Sequence, residues 1–314
     1  MNNQIGLTAL WLMATAMLSF CLNINAAEQW PRSEDPKTLP YQAMNMSQFI
    51  KLEEGYFKAL KVADFAELKP FYQHDVLPLT APGETEEPQK NQMSLLKSKR
   101  AYGWGVLAIN PAAQQALFLQ VPHRFYDKWT AAISAHWWQS GQFKLAMLNT
   151  VHRHAGREQD KPINSDFSSA QNNPMLAATR AFIANFKQPV VLQLHGYSKA
   201  SRNSKTAQKA DVILSHGANL PTAYLVKLNK AKACLNRNIA GVVDGIDEGA
   251  ALVFPHDVTE LGGTKNIIGK ELRYMGYYQH FVHIELSLVL RQKMRDDNQL
   301  SLQVLDCITG PLND

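Results

Sequence analysis

In Val121-Pro122-His123-Arg124-Phe125-Tyr126-Asp127 an apolar run ends in a histidine, and an aspartate follows on the next turn of chain. One neutral imidazole and one carboxylate make a usable half-site for zinc. In Gln193-Leu194-His195-Gly196 a second histidine closes an apolar run, and the glycine is expected to let the backbone turn sharply there. His123, Asp127 and His195 together would leave a coordination position open, which is the arrangement of a catalytic zinc site. Such an ion lowers the pKa of water toward neutrality and polarises a carbonyl. In Phe281-Val282-His283-Ile284-Glu285, the histidine and glutamate stand two apart, so a strand would put both on one face. Glu285 is the candidate general base. Asn149-Thr150-Val151-His152-Arg153 ends a further apolar run, and Arg153 is the candidate to bind a substrate carboxylate or an oxyanion with its planar fork of donors.

Each residue also has a plainer reading. A strand-end histidine is commonly a hydrogen-bonded structural group, Asp127 would serve as a helix cap, Arg153 as a surface ion-pair partner, and Glu285 as a favourable acid at a helix start. His216, His256 and Asp257 form a rival cluster of metal-ligating types near other apolar runs. His195 is preferred to His216 because its run is the more clearly buried one.

The elements that must hold these groups are short apolar runs separated by helical stretches, the texture of repeated βα units. Strands are expected at Val106 to Ile109, Ala116 to Val121, Lys144 to Asn149, Val190 to Leu194, Val212 to Ser215, Ala240 to Val243 and Phe281 to Ile284. Helices are expected at Thr130 to Ser140, Pro174 to Phe186, Pro221 to Leu235 and Leu286 to Arg295, two of them opened by a proline. This pattern predicts an α/β fold, a three-layer α/β/α sandwich around a mixed, mostly parallel sheet. Such sheets carry function at the carboxyl ends of their strands, where the candidates lie.

Residues 1–26 read as a signal peptide: Leu7 to Leu22 is apolar, no charged side chain precedes Glu28, and Ala26-Ala27 supplies small residues for cleavage. Export to the periplasm or beyond follows, with no stable membrane span after cleavage. Residues 27–92 are rich in Pro, Glu and Lys, show one amphipathic helix near Met46 to Leu60 and no strand pattern, and read as an N-terminal extension to a catalytic domain at 93–314. Cys234 and Cys307 then suffice for one bridge in an oxidising compartment, or stay as buried thiols. The net charge of +5 favours anionic partners, but scattered Lys and Arg without aromatic stacking or a recognition motif give no reason to expect nucleic-acid binding.

Taken in order, Val-Pro-His-x-x-x-Asp, His-Arg, Leu-Gln-Leu-His-Gly, Leu-Gly-Gly-Thr-x-Asn and His-Ile-Glu-Leu-Ser resemble the zinc carboxypeptidase-like superfamily over about Leu119 to Arg291. Within it the chain looks nearest to the N-formylglutamate amidohydrolase and poly-γ-glutamate hydrolase branches. The resemblance implies a phosphorylase/hydrolase-like fold with one Zn2+ on His123, Asp127 and His195, Glu285 as general base, Arg153 against the substrate, and Leu261 to Asn266 lining the site. Two departures stand out. The acid follows its histidine by four positions where His-x-x-Glu is the common form, and Asp166-Phe167-Ser168-Ser169 lacks the histidine expected soon after the aspartate.

The function expected is zinc-assisted hydrolysis of an amide or peptide bond in a small, anionic substrate. The alternatives are a secreted protein that binds an anionic peptide or glycan without catalysis, and a serine α/β-hydrolase. The latter needs a nucleophile elbow, and no Gly-x-Ser-x-Gly occurs in the chain.

Overall fold

The structure is a computed structural model that describes residues 40–78, 92–158, 161–241 and 251–312. The leader, Cys21 and the segment around Val243 lie outside the described residues. Helix α1 (Met46–Val62) opens on Asn45, which exchanges side-chain hydrogen bonds with Gln48, and closes at Ala63 in the left-handed region, φ 54°. There follow β1 (Tyr72–Pro78), β2 (Gln92–Ser98), β3 (Val106–Ile109), β4 (Leu117–Val121), α2 (Thr130–Gln139) and β5 (Leu145–Leu148). A short ribbon of β6 (Arg157–Glu158) and β7 (Lys161–Pro162) leads to α3 (Pro174–Asn185), β8 (Val190–Tyr197), α4 (Lys205–Lys209) and β9 (Val212–Ser215). The chain ends through α5 (Val226–Ile239), β10 (Ala251–Val253), α6 (Ile267–Tyr274), β11 (Phe281–Ser287), α7 (Leu288–Asp296) and α8 (Asn298–Thr309).

Nine strands form one sheet in the order β1-β2-β3-β5-β4-β8-β11-β9-β10. It is mixed, as expected, but parallel pairings make up four of the eight rather than most: β5-β4, β4-β8, β8-β11 and β9-β10 are parallel, the other four antiparallel. Alternating side chains send each strand's apolar residues to two cores. On one face Leu119, Leu192, Leu194 and Ile284 pack with Ile133 and Trp137 of α2, Leu228 of α5, Leu290 of α7 and Val304 of α8. On the other, Phe118, Val191 and Phe281 pack with Leu52 and Tyr56 of α1, Phe182 of α3 and Leu272 of α6. The architecture is the α/β/α sandwich read from the sequence.

Residues 40–78 do not form an appendage. α1 packs in the second core, and β1 pairs with β2 from Tyr72↔Ser98 to Pro78↔Gln92, so a boundary at residue 92 cuts through the sheet. Ala240 and Gly241 lie in a turn, not a strand, and the last edge strand is β10. Pro221 precedes a single 3-10 turn, Thr222–Tyr224, before α5 begins at Val226.

Candidate metal centre

The site grows from one change of polarity along the sheet face that looks toward α3 and α6. Phe118, Val191 and Phe281 stand side by side on β4, β8 and β11. Two residues on, the same face carries Gln120, Gln193 and His283 in register, and two further on it carries His195 beside Glu285. The apolar covering therefore ends where the strands approach their carboxyl termini, and polar side chains replace it.

His123 follows β4 and begins a helical turn: the backbone N–H groups of Tyr126 and Asp127 both donate to the His123 carbonyl, at 2.9 and 2.7 Å. That turn brings Asp127, four residues on, back beside the imidazole. Its Oδ2 lies 3.4 Å from His123 Nδ1 and 3.4 Å from His195 Nδ1, and the two Nδ1 atoms are 3.2 Å apart. An ion with tetrahedral bonds of about 2.0–2.1 Å sets its donor atoms about 3.3–3.4 Å apart. All three side chains are buried, and Asp127 Oδ2 has no hydrogen-bond donor. A buried carboxylate oxygen with no donor and two neutral-capable imidazoles around it is a donor set that a cation completes. The residues fit a metal ion.

The far nitrogens are held. His123 Nε2 meets Asp166 Oδ1 at 2.7 Å, and Ser168 Oγ lies 3.1 Å from the same nitrogen while donating to Asp166 at 2.7 Å. His195 Nε2 meets Gln193 Oε1 at 2.7 Å. Both rings thus turn Nδ1 inward. Burial opposes ionisation of Asp127, but contact with His123 and His195 outweighs it and holds the carboxyl well below its usual range. Burial likewise opposes ionisation of Asp166, and His123, Ser168 and Arg153 reverse the balance.

Glu285 lies across from Asp127. Burial, with the Asp127 charge adding to it, pushes its carboxyl up to about 8, and Glu285 Oε2 is buried without a donor. His283 Nε2 is 3.8 Å from Glu285 Oε1. His195, His283 and Glu285 also come close enough to share an ion. That set would have to share His195, whose Nδ1 serves the first group and whose Nε2 is bonded to Gln193, so the first group is the better site.

A cavity of about 870 Å³ opens over these groups. Arg153 lines it, paired with the Asp166 carboxylate, with Nη1 3.3 Å from His123 Nδ1 and its guanidinium over the Tyr126 ring. The loop from Leu261 to Asn266 lines it as expected. Two of the plainer readings fail, while Arg153 is an ion-pair partner and both histidines are hydrogen-bonded, as their plainer readings had it. Asp127 does not cap α2, whose N-cap is Trp129 with no side-chain bond, and Glu285 sits within β11 while Ser287 caps α7. Gly196 makes no turn: it lies inside β8, and a Cβ there would come within 2.2 Å of Arg291 Cζ. Its absence admits the Arg291 guanidinium, which donates to the carbonyls of Lys128 at 2.7 Å and Tyr197 at 3.1 Å. His216 bonds the Phe281 carbonyl through Nδ1, and Asp257 pairs with Lys232. Neither they nor His256 enter a candidate metal group among the described residues.

Sequence reasoning missed Asp166 as the partner of His123, Gln193 beneath His195, and Arg291 behind Glu285. For Gln193 a signal existed, since a polar residue two before a strand-end histidine shares its face.

No family model matches the chain, and no curated protein matches it. Among solved structures it is similar to a "putative carboxypeptidase" from Burkholderia mallei at 10% identity and TM-score 0.38, over 87% of this chain and 69% of that one. A "putative carboxypeptidase A" from Shewanella denitrificans is similar at 8% identity and TM-score 0.36, over 87% and 70%. A "putative metallopeptidase" from the same organism is similar at 10% identity and TM-score 0.30, over 90% and 97%. Likenesses this remote leave the chemistry to be argued from the site.

Proposed function

We propose that the chain is an exported zinc-dependent hydrolase of amide or peptide bonds in small, anionic substrates. The observation that carries this reading is the spacing of His123 Nδ1, His195 Nδ1 and Asp127 Oδ2, 3.2–3.4 Å from one another at the floor of a cavity that Glu285 also lines. When bound, zinc supplies a Lewis acid that polarises a carbonyl and acidifies water. Glu285 takes the proton from attacking water at a carboxylate oxygen and returns it to the leaving nitrogen; burial and the Asp127 charge raise its carboxyl to about 8 without a metal, and the charge of a bound cation would bring it down toward the ionised form that a base needs. Arg153 faces the substrate's carboxylate or oxyanion, and Asp166 holds it in place. Lys128, Arg202 and Lys265 line the same cavity, whose only lining acids among the described residues are Asp127 and Glu285, so the field favours an anion.

Export is supported by the apolar leader read in the sequence and by the Cys234–Cys307 disulfide, a bond at home in an oxidising compartment. Among the described residues no helix is long and apolar enough to cross a membrane.

The test is metal quantification on the purified protein, with hydrolysis of carboxyl-terminal peptides and γ-glutamyl amides measured before and after chelation. One zinc per chain is expected, with activity lost on chelation and regained with zinc. Glu285→Gln should keep the metal and lower turnover by about 10²–10⁴-fold. A protein that retains no metal after zinc reconstitution would overturn the reading.

A further inference from the structure

The donor atom that His195 turns inward depends on which of its nitrogens carries the proton, and that choice is built into the layer of helices behind the sheet. His195 Nε2 lies 2.7 Å from Gln193 Oε1. Gln193 Nε2 donates to Gln120 Oε1 at 2.8 Å, Gln120 Nε2 donates to Thr179 Oγ1 at 2.8 Å, and the Thr179 hydroxyl donates to the Met175 carbonyl at 2.7 Å. Every member of this chain is buried.

An amide side chain can present either its oxygen or its nitrogen, and a hydroxyl can donate either way, so such a chain needs a fixed end to acquire a direction. The Met175 carbonyl, in the first turn of α3, is that end, because it can only accept. It makes Thr179 donate, which obliges Gln120 to turn its NH2 toward Thr179 and its oxygen toward Gln193. Gln193 in turn offers its NH2 to Gln120 and its oxygen to His195. A second fixed end gives the same answer: Asn266 Oδ1 accepts from the Ile268 backbone N–H at 3.0 Å as the cap of α6, so its Nδ2 donates to Gln193 Oε1.

We infer that Gln193 is a positioning residue which, under orders from backbone groups of α3 and α6, holds His195 as the Nε2–H tautomer and so reserves the Nδ1 lone pair for a metal ion. The inference rests on reading His123, Asp127 and His195 as a metal site. Gln120, Thr179 and Asn266 act through Gln193, and none of them lies among the donor atoms. A neutral His195 with its proton on Nδ1 would exchange the 2.7 Å bond to Gln193 for a longer approach of 3.4 Å to Asp127 Oδ2, would present an N–H to the place where a cation belongs, and would leave Gln193 Oε1 facing a second acceptor.

The experiment uses the full protein with ¹⁵N-labelled histidine, stripped of metal, with His195 assigned by comparison with His195→Ala. Long-range imidazole couplings should show His195 as Nε2–H in the wild type, and a spectrum showing Nδ1–H overturns the inference without any variant. Zinc affinity is then measured by chelator competition. Gln193→Leu should weaken it about 10–100-fold and release the tautomer, whereas Gln193→Glu, which keeps an acceptor facing Nε2, should keep both. A folded Gln193→Leu protein that binds zinc within about two-fold of wild type also overturns it. The tautomer is read in metal-free protein, so failure of the zinc-hydrolase reading, seen as no zinc bound by the wild type, is distinguishable from failure of this one.

Discussion

Glu285 and Asp127 show how two carboxyls in one cavity are driven apart. Both are buried, yet Asp127 has two imidazoles against one oxygen and stays ionised, while Glu285 has burial and the Asp127 charge against its ionisation and binds its proton tightly. For Glu285 the sign of the stability effect follows from its raised pKa. In metal-free protein the folded state holds this proton up to about 8 against 4.5 for the free group, so the contribution to stability is full below about 4.5 and is lost as pH climbs toward 8. Melting temperatures of chelated wild type should therefore fall with rising pH across that window more steeply than those of Glu285→Gln. Parallel curves would show that burial does not raise this group. At the same scale, His123, Asp127, His195 and Glu285 were legible because each closes or follows an apolar run. Asp166 was not, because nothing in its local sequence says that a loop more than 40 residues after His123 returns to the same imidazole.

At the scale of elements, the strands read most cleanly from sequence were the buried central ones: Val106–Ile109 and Val212–Ser215 match their expected bounds, and β4, β5, β8 and β11 differ only at their ends. Continuous apolar character is the signature of a strand covered on both faces. The edges were illegible for the converse reason. β1 reads Tyr-Gln-His-Asp-Val-Leu-Pro, polar and ending in proline as an edge tolerates, and β10 has three residues. Reading Gly196 as a turn failed because the need for a missing Cβ arises from Arg291, distant in sequence and packed against the strand. Gly196→Ala would drive a methyl group into a guanidinium held by the carbonyls of Lys128 and Tyr197, and is expected to destabilise by about 1–3 kcal/mol, as overpacking in a filled interior does. Chemical denaturation of the variant measures this. An unchanged midpoint would mean that Arg291 yields freely.

For the whole molecule, the disulfide matters because of what it encloses. Cys234 on α5 is joined to Cys307 on α8 across 73 positions, and both helices cover the same sheet face. A cross-link closing so long a loop is expected to contribute about 2–4 kcal/mol. Reduction, or Cys234→Ala with Cys307→Ala, should lower the melting temperature, and equal melting with and without reductant would deny the bond a stabilising part. The bridge also partitions the site. His123, Asp127, Arg153 and His195 all precede Cys234, whereas Glu285 and Arg291 lie inside the bridged loop. If the molecule is pulled by its two ends, tension runs through the sulfurs and bypasses everything between them. A fully stretched oxidised chain should then fall short of the reduced one by roughly 240–260 Å, at about 3.3–3.6 Å for each of the 73 positions. In that pulled molecule the stretch bearing His123, Asp127 and His195 is drawn straight while the stretch bearing Glu285 hangs slack, free of load.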